Sequence, residues 1–242
     1  MTDMTNDIND NALRVALVTG GSAGLGRELV LSLAHQGWVV VTDARRGDRL
    51  TDLADPNIVA IAGDITDATH RAALRAELER RGRLDLLVHN ASTLGPTPLP
   101  PLDAVTIDQL QQVWRTNIGA PLVLTGELLP LLRSSGGVLL SISSDAAVEH
   151  YEGWGLYGAS KAALDHITLT FAAENPEIAA YAVDPGDMRT EMHQAAFPGE
   201  DISDRPLPGT VVPRLLALVQ RRPASGRHRA AEITTASLAG AR

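Results

Sequence analysis

The 242-residue sequence contains no cysteine. Disulfides, thiolate nucleophiles and Cys-ligated zinc are therefore excluded. No apolar run reaches the roughly 18 residues of a membrane span. Positive charge is outweighed, with 21 Lys and Arg against 29 Asp and Glu and a formal net charge of −8. That balance argues against a nucleic-acid partner. Lysine is nearly missing: Lys161 stands alone and arginine supplies the other basic residues. Coding bias accounts for most of this imbalance, but it makes the position of the one lysine informative. His150 and His193 lie far apart with no ligand pattern at metal spacing, so no metal is expected. The opening MTDMTNDINDN lacks the basic-then-apolar order of a signal peptide, and residues 1–12 read as a disordered tail. Together these features point to the cytoplasm.

The 44% hydrophobic content is ample for one core and too high for a disordered chain. Apolar β-type runs at 13–19, 38–42, 58–63, 84–92, 137–144 and 178–186 read as six strands. Helical spacing falls between them, over 24–36, from Asp67 to about Arg81, over roughly 103–133, and from Gly155 to Glu174. Near-continuous apolar strands separated by helices imply a mostly parallel sheet covered on both faces. The expectation is a doubly wound, Rossmann-like α/β fold in one domain over 13–242. Ligands of such sheets bind beyond the carboxyl ends of the strands.

The first strand runs into Thr19-Gly20-Gly21-Ser22-Ala23-Gly24-Leu25-Gly26 and then a helix. Glycines allow a tight turn and close approach of a diphosphate to backbone N–H groups at a helix N-terminus. No Lys-Ser/Thr follows, so this is not a P-loop. The second strand ends Asp43-Ala44-Arg45-Arg46. An acid there would bond a ribose hydroxyl, whereas an arginine would accommodate a 2′-phosphate, and both residue types are present. Asp64-Ile65 follows the third strand; its carboxylate suits either an adenine amine or a helix cap.

Lys161 lies four residues after Tyr157, on the same face of the expected helix. An ammonium near a phenol lowers the pKa of the phenol toward working pH. Ser144 closes the fifth strand, where a hydroxyl can donate to a substrate carbonyl. Pro121 has no N–H to offer the carbonyl of Asn117, which would free that carbonyl for a water if the helix runs through.

These residues together resemble the short-chain dehydrogenase/reductase family, from about Leu13 to Ile233. The resemblance rests on Thr19-Gly20, Gly24-Leu25-Gly26, Asp64, Asn90-Ala91, Asn117, Ser144, Tyr157 with Lys161, and Pro185-Gly186 with Thr190. It implies Tyr157 as general acid/base and Lys161 as the residue that lowers its pKa and bonds the nicotinamide ribose. It implies Ser144 orienting the carbonyl and Asn117 supporting a relay water. Asp64 and Asn90 would contact the adenosine half, and Pro185, Gly186 and Thr190 would flank the nicotinamide; Ser22, Ile65 and Ala91 join the cofactor contacts. The family's usual Asn-Asn-Ala-Gly appears here as His89-Asn90-Ala91-Ser92. Counted from Gly37, Arg45 falls where NADP-preferring members carry arginine, so NADP(H) is favoured over NAD(H).

His150, Trp154, Met188 and Met192 fall in the two segments expected to wall the substrate pocket, and residues 187–210 read as a lid. The stretch Pro185–Met192 is similar to the sepiapterin- and benzil-reductase branch. The expected activity is hydride transfer between nicotinamide and a bulky or ring-bearing ketone or secondary alcohol. Alternatives are an epimerase or dehydratase acting through transient oxidation, and a cofactor-binding sensor without turnover. The resemblance implies a homodimer or homotetramer.

Overall fold

Residues 13–235 are described by a computed structural model; the expected tail over 1–12 lies outside them, as do residues 236–242. The elements follow in the order β1 (Val15–Val18), α1 (Gly24–His35), β2 (Val39–Ala44), α2 (Gly47–Leu50), β3 (Ile58–Ala62), α3 (Ala68–Arg81), β4 (Leu86–His89), α4 (Ile107–Trp114), α5 (Ala120–Ser134), β5 (Val138–Ile142), α6 (Gly155–Glu174), β6 (Ala179–Asp184), α7 (Glu191–Ala196), α8 (Val212–Arg221) and β7 (Gly226–Arg229). The strands form one seven-stranded sheet ordered β3-β2-β1-β4-β5-β6-β7. Every neighbouring pair is parallel.

Successive strand side chains alternate between two helical layers. Ala16 and Val18 join Leu29 and Leu33 of α1 and Leu215 and Val219 of α8. Val15 and Leu17 join Leu74 and Leu78 of α3 and Leu124, Leu128 and Leu132 of α5. Both faces of the sheet are thus buried, which is why the strands read as unbroken apolar runs. Truncating a fully buried core leucine such as Leu128 to alanine costs about 2–5 kcal/mol. The chain reverses its winding direction between β1 and β4, so the loops after these two strands splay apart and leave a crevice.

Three details differ from the sequence expectation. Strand β7 was not anticipated, because Gly226–Arg229 carries no aliphatic residue; pairing with β6 makes it a strand. The region 103–133 is α4, a π-helical turn over Arg115–Gly119 and then α5. Strand β4 stops at His89, because the backbone of Asn90 and Ala91 turns to the Thr19 hydroxyl instead. Helix α3 starts where expected, with Asp67 capping the Thr69 amide at 2.8 Å.

Candidate active site

The loops at the carboxyl ends of the strands enclose a cleft of about 1080 Å3, at the large end for a ligand site. Its adenosine-side wall begins with the glycine loop. Gly20 and Gly24 adopt φ of +71° and +54°, a region other residues enter only with strain. Ser22, Leu25, Asp64, Ile65, Asn90 and Ala91 line the same wall.

Thr19 and Gly26 are placed differently from the expectation that they touch cofactor. Thr19 is buried; its hydroxyl donates to the Val88 carbonyl at 3.2 Å and accepts the amides of Asn90 and Ala91. It ties β1 to β4 and faces away from the cleft. A Cβ on Gly26 would strike the Asn90 side chain and the Gly20 carbonyl, so this glycine serves close packing of α1.

The ambiguity between Asp43 and Arg45 is decided by burial. Asp43 is 2% exposed. One of its oxygens accepts the Gly20 amide at 2.9 Å and the other bonds His70 Nε2 at 3.0 Å. Both oxygens are engaged beneath the loop, so neither is directed at a ribose. Arg45 and Arg46 follow the strand and stand exposed at the cleft wall. Asp64 accepts the amide and hydroxyl of Thr66 at 2.9 and 2.8 Å. Burial disfavours its charge, but those bonds and nearby Arg45 outweigh it and hold the carboxyl below its ordinary range.

On the reaction side, α6 brings Tyr157 and Lys161 one turn apart onto a buried face. A Cβ on Gly158 would collide with the Ala146 carbonyl. Glycine there lets α6 press against the turn that Ser144 caps, where the Ser144 hydroxyl accepts the Ala146 amide at 3.1 Å. Ser144, Tyr157 and Lys161 all line the cleft. Lys161 Nζ donates to the Ile142 carbonyl at 2.8 Å and lies 5.5 Å from the Tyr157 ring centre. Burial pushes this ammonium down to about 8, with Asp165 opposing. Burial also pushes the Tyr157 phenol up, while hydrogen bonds with Ser92 and Ser144 pull it back. Burial is thus the leading influence on the phenol here, and the Lys161 ammonium is directed to the Ile142 carbonyl.

Asn117 sits in the π turn, 1% exposed and behind the cleft wall. Its oxygen accepts the Thr93 amide at 2.9 Å and the Ser92 hydroxyl at 3.2 Å. Its amide donates to the Thr93 carbonyl and the Ser160 hydroxyl, both at 2.9 Å. Turns of this π type recur at functional sites. Arg227 of β7 adds a support, donating to Asp165 at 3.0 Å and to the Ser144 carbonyl at 2.8 Å.

The remaining wall carries an apolar cluster beside Asp145, Asp187 and His193. Trp154 packs edge-on against Tyr157 at 5.7 Å and tilted against Phe197 at 5.9 Å between ring centres. Leu94, Met188, Met192, Pro185 and Gly186 complete it, and Thr190 caps α7 by accepting the His193 amide at 3.1 Å. His150 is exposed and does not line the cleft. The expectation for it is corrected: the turn after Ser144 carries it outward, and Tyr151 takes the rim with its hydroxyl donating to Asp145 at 2.9 Å.

A model of the family described as short chain dehydrogenase matches residues 14–201. The chain belongs to that family. Relatives of this short-chain dehydrogenase include sepiapterin reductase of Mus musculus, 34% identical over 201 residues that cover 75% of this chain and 77% of that one. Benzil reductase ((S)-benzoin forming) of Saccharomyces cerevisiae is 33% identical over 195 residues, covering 75% and 74%. A short chain dehydrogenase of Shigella flexneri, solved in complex with NADP, superposes with a TM-score of 0.81 at 29% identity, covering 91% of this chain and 98% of that one.

Several members of the site in this short-chain dehydrogenase were not read from the sequence. In the sequence Ser92 stands out only as a departure from the family pattern, yet it joins Asn117 to Tyr157. The signal was present, since a hydroxyl stands where the family pattern has glycine. Gly158 carries no sequence signal of its own, because its role is a close approach to the distant Ala146 carbonyl. Arg227 gave no signal, because the strand that carries it was itself illegible. Among the described residues, no helix is long and apolar enough to cross a membrane.

Proposed function

We propose that this short-chain dehydrogenase reduces a bulky or ring-bearing ketone, or oxidises the matching secondary alcohol, with NADP(H). The observation that carries the reading is the convergence of the Tyr157 phenol, the Ser144 hydroxyl and Lys161 at the floor of one cleft beneath an aromatic wall. The residues present fit a dinucleotide. The positive-φ turns at Gly20 and Gly24 hold the glycine loop tight against the N-terminus of α1, with the amides of Gly20 and Gly21 anchored on Asp43. Asp43 is occupied and Arg45 is open, which favours a 2′-phosphate over a bare ribose. A bound nicotinamide supplies or accepts the hydride.

The chain's own groups do the rest. Tyr157 gives its proton to the carbonyl oxygen; a phenol pushed upward by burial stays protonated at neutral pH and suits that role. Ser144 donates to the same oxygen and orients it. Lys161, anchored on the Ile142 carbonyl, bonds the nicotinamide ribose. Asn117 and Ser92 hold the hydroxyl network behind the phenol. Thr190, Pro185 and Gly186 flank the nicotinamide, and residues 187–210 close over the substrate. Exposed Ile107, Trp114, Leu122 and Val123 on α4 and α5 support a homodimer or homotetramer.

The test is a ketone panel followed at the reduced-nicotinamide absorbance, with Tyr157→Phe beside the parent. Stoichiometric loss of NADPH, reduced about 10²- to 10⁴-fold in the variant while cofactor still binds, is the expected result. Cofactor binding with no turnover of any ketone points to a sensor instead. Turnover without net loss of absorbance points to epimerisation or dehydration.

A further inference from the structure

The arginines at the end of β2 are not all free to meet a ligand. Arg49 Nη1 donates to both oxygens of Glu191, at 2.8 and 2.9 Å. Arg46 Nη2 reaches the same carboxylate at 3.5 Å. Glu191 is the first residue of α7, on the segment that carries Met192 and His193 to the substrate end of the cleft. Its neighbour Thr190 lies against the glycine loop, where a Cβ on Gly24 would meet it at 3.5 Å. The start of α7 therefore crosses the glycine loop, and Glu191 reaches from there to the arginines on the adenosine side.

We infer that the Glu191 carboxylate stands in for the 2′-phosphate of the cofactor, masking Arg46 and Arg49 until a 2′-phosphorylated nucleotide displaces it. This rests on the NADP(H) reading above. A guanidinium fork accepts a carboxylate or a phosphate with the same geometry. A phosphate monoester carries nearly twice the charge and three acceptor oxygens. The bridge it must break is held mainly by Arg49, which is 30% exposed, but its carboxylate is 69% exposed and Arg46 57%, so solvent screens it and a phosphate can compete. Among the described residues no salt bridge engages Arg45, whose nearby carboxylate is Asp64 rather than Glu191, so the masked pair tunes a site that Arg45 opens. A nucleotide without the 2′-phosphate has nothing to offer Arg46 and Arg49 in exchange and leaves the bridge closed. Glu191 thus acts as a specificity residue that makes every 2′-phosphate compete with the start of α7.

The experiment measures dissociation constants of 2′,5′-ADP and 5′-ADP by calorimetry at low ionic strength. It compares the parent, Glu191→Gln, and Asp187→Asn as a charge control. Asp187 is a carboxylate of similar exposure on the same segment, paired with His193 and Arg205 rather than with Arg46 or Arg49. Glu191→Gln is expected to tighten 2′,5′-ADP about threefold to fivefold, the size of an exposed ion pair. It should move 5′-ADP less than about twofold, and Asp187→Asn should move neither ratio beyond that. Three results overturn the inference: no change in Glu191→Gln, joint weakening of both nucleotides, or an equal gain in Asp187→Asn. The cofactor reading fails separately if the parent does not prefer 2′,5′-ADP. In that event a preference that emerges in Glu191→Gln upholds the masking, and none in either protein sinks both.

Discussion

The two ends of the cleft are built from different materials. The adenosine end is made of backbone turns and exposed charge: positive-φ glycines, Arg45, Arg46 and the Arg49–Glu191 bridge. The reaction end is made of buried hydroxyls and amides, with Asn117, Ser160, Lys161 and Tyr157 all at 8% exposure or less. Exposed charges move and exchange partners at little cost, whereas a buried network tolerates neither a lost partner nor a shifted backbone. The first end can select a ligand by competition; the second must hold atoms in place for proton transfer.

The sharpest way to break this contrast is Gly158→Ala, a change of one methyl group at the buried end. It forces α6 off the Ala146 carbonyl, costs about 1–3 kcal/mol in stability and lowers kcat about 100-fold through misplacement of Tyr157. Denaturant midpoints and single-substrate kinetics check both numbers; unchanged kcat would remove the close approach as a requirement. Arg45→Gln, at the exposed end, should leave folding untouched and weaken NADPH about tenfold to 100-fold. NADH binding should hardly change, as fluorescence titration of both cofactors would show. Equal losses for both would contradict the assignment of Arg45 to the 2′-phosphate.

A smaller effect is expected at the junction of buried groups. Ser92→Ala removes a hydrogen bond that pulls the Tyr157 phenol down. Alcohol oxidation should slow about fivefold to tenfold, and the pH at which the phenol ionises in the kcat profile should rise. A profile that slides downward, or not at all, would show that Ser92 only fills space. The last effect concerns stability. Burial pushes His89 down to about 3, with Lys161 adding to the shift. Between that value and the ordinary 6.5 the unfolded chain binds a proton that the folded chain refuses. Stability therefore falls as pH drops through that window, by about 1.4 kcal/mol per pH unit, and is flat above it on this account. Urea midpoints for the parent and His89→Gln at several pH values isolate the term, since other acidic groups contribute to both proteins alike.

The legibility of these features follows their physics. Helix α6 was read to the residue, because glycine opens it and the apolar spacing persists to Glu174. Strands β1 and β5 were legible because burial on both faces demands apolar residues throughout. Strand β7 was not, since an edge strand with Arg227 and Arg229 meets no such demand. The π turn was also hidden, because Arg115–Gly119 differs from an α-helix in hydrogen-bond register and not in residue type. At the site, Tyr157, Lys161 and Ser144 were visible through residue type and order. The engagement of Asp43 was not, because its partner His70 is 27 residues distant and carries no local signal.

By composition and pattern alone, this chain determines a parallel sheet sandwiched between helices, a glycine loop at the first switch, and a tyrosine one turn before its single lysine. Those depend on local periodicity and on residue chemistry, which a linear string contains. Tertiary structure alone decided that Asp43 faces His70, that His150 turns outward, that Ser92 meets the phenol and that Glu191 lands on Arg49. Each of these depends on where two distant segments meet, and that is set by packing of the whole sheet rather than by either segment.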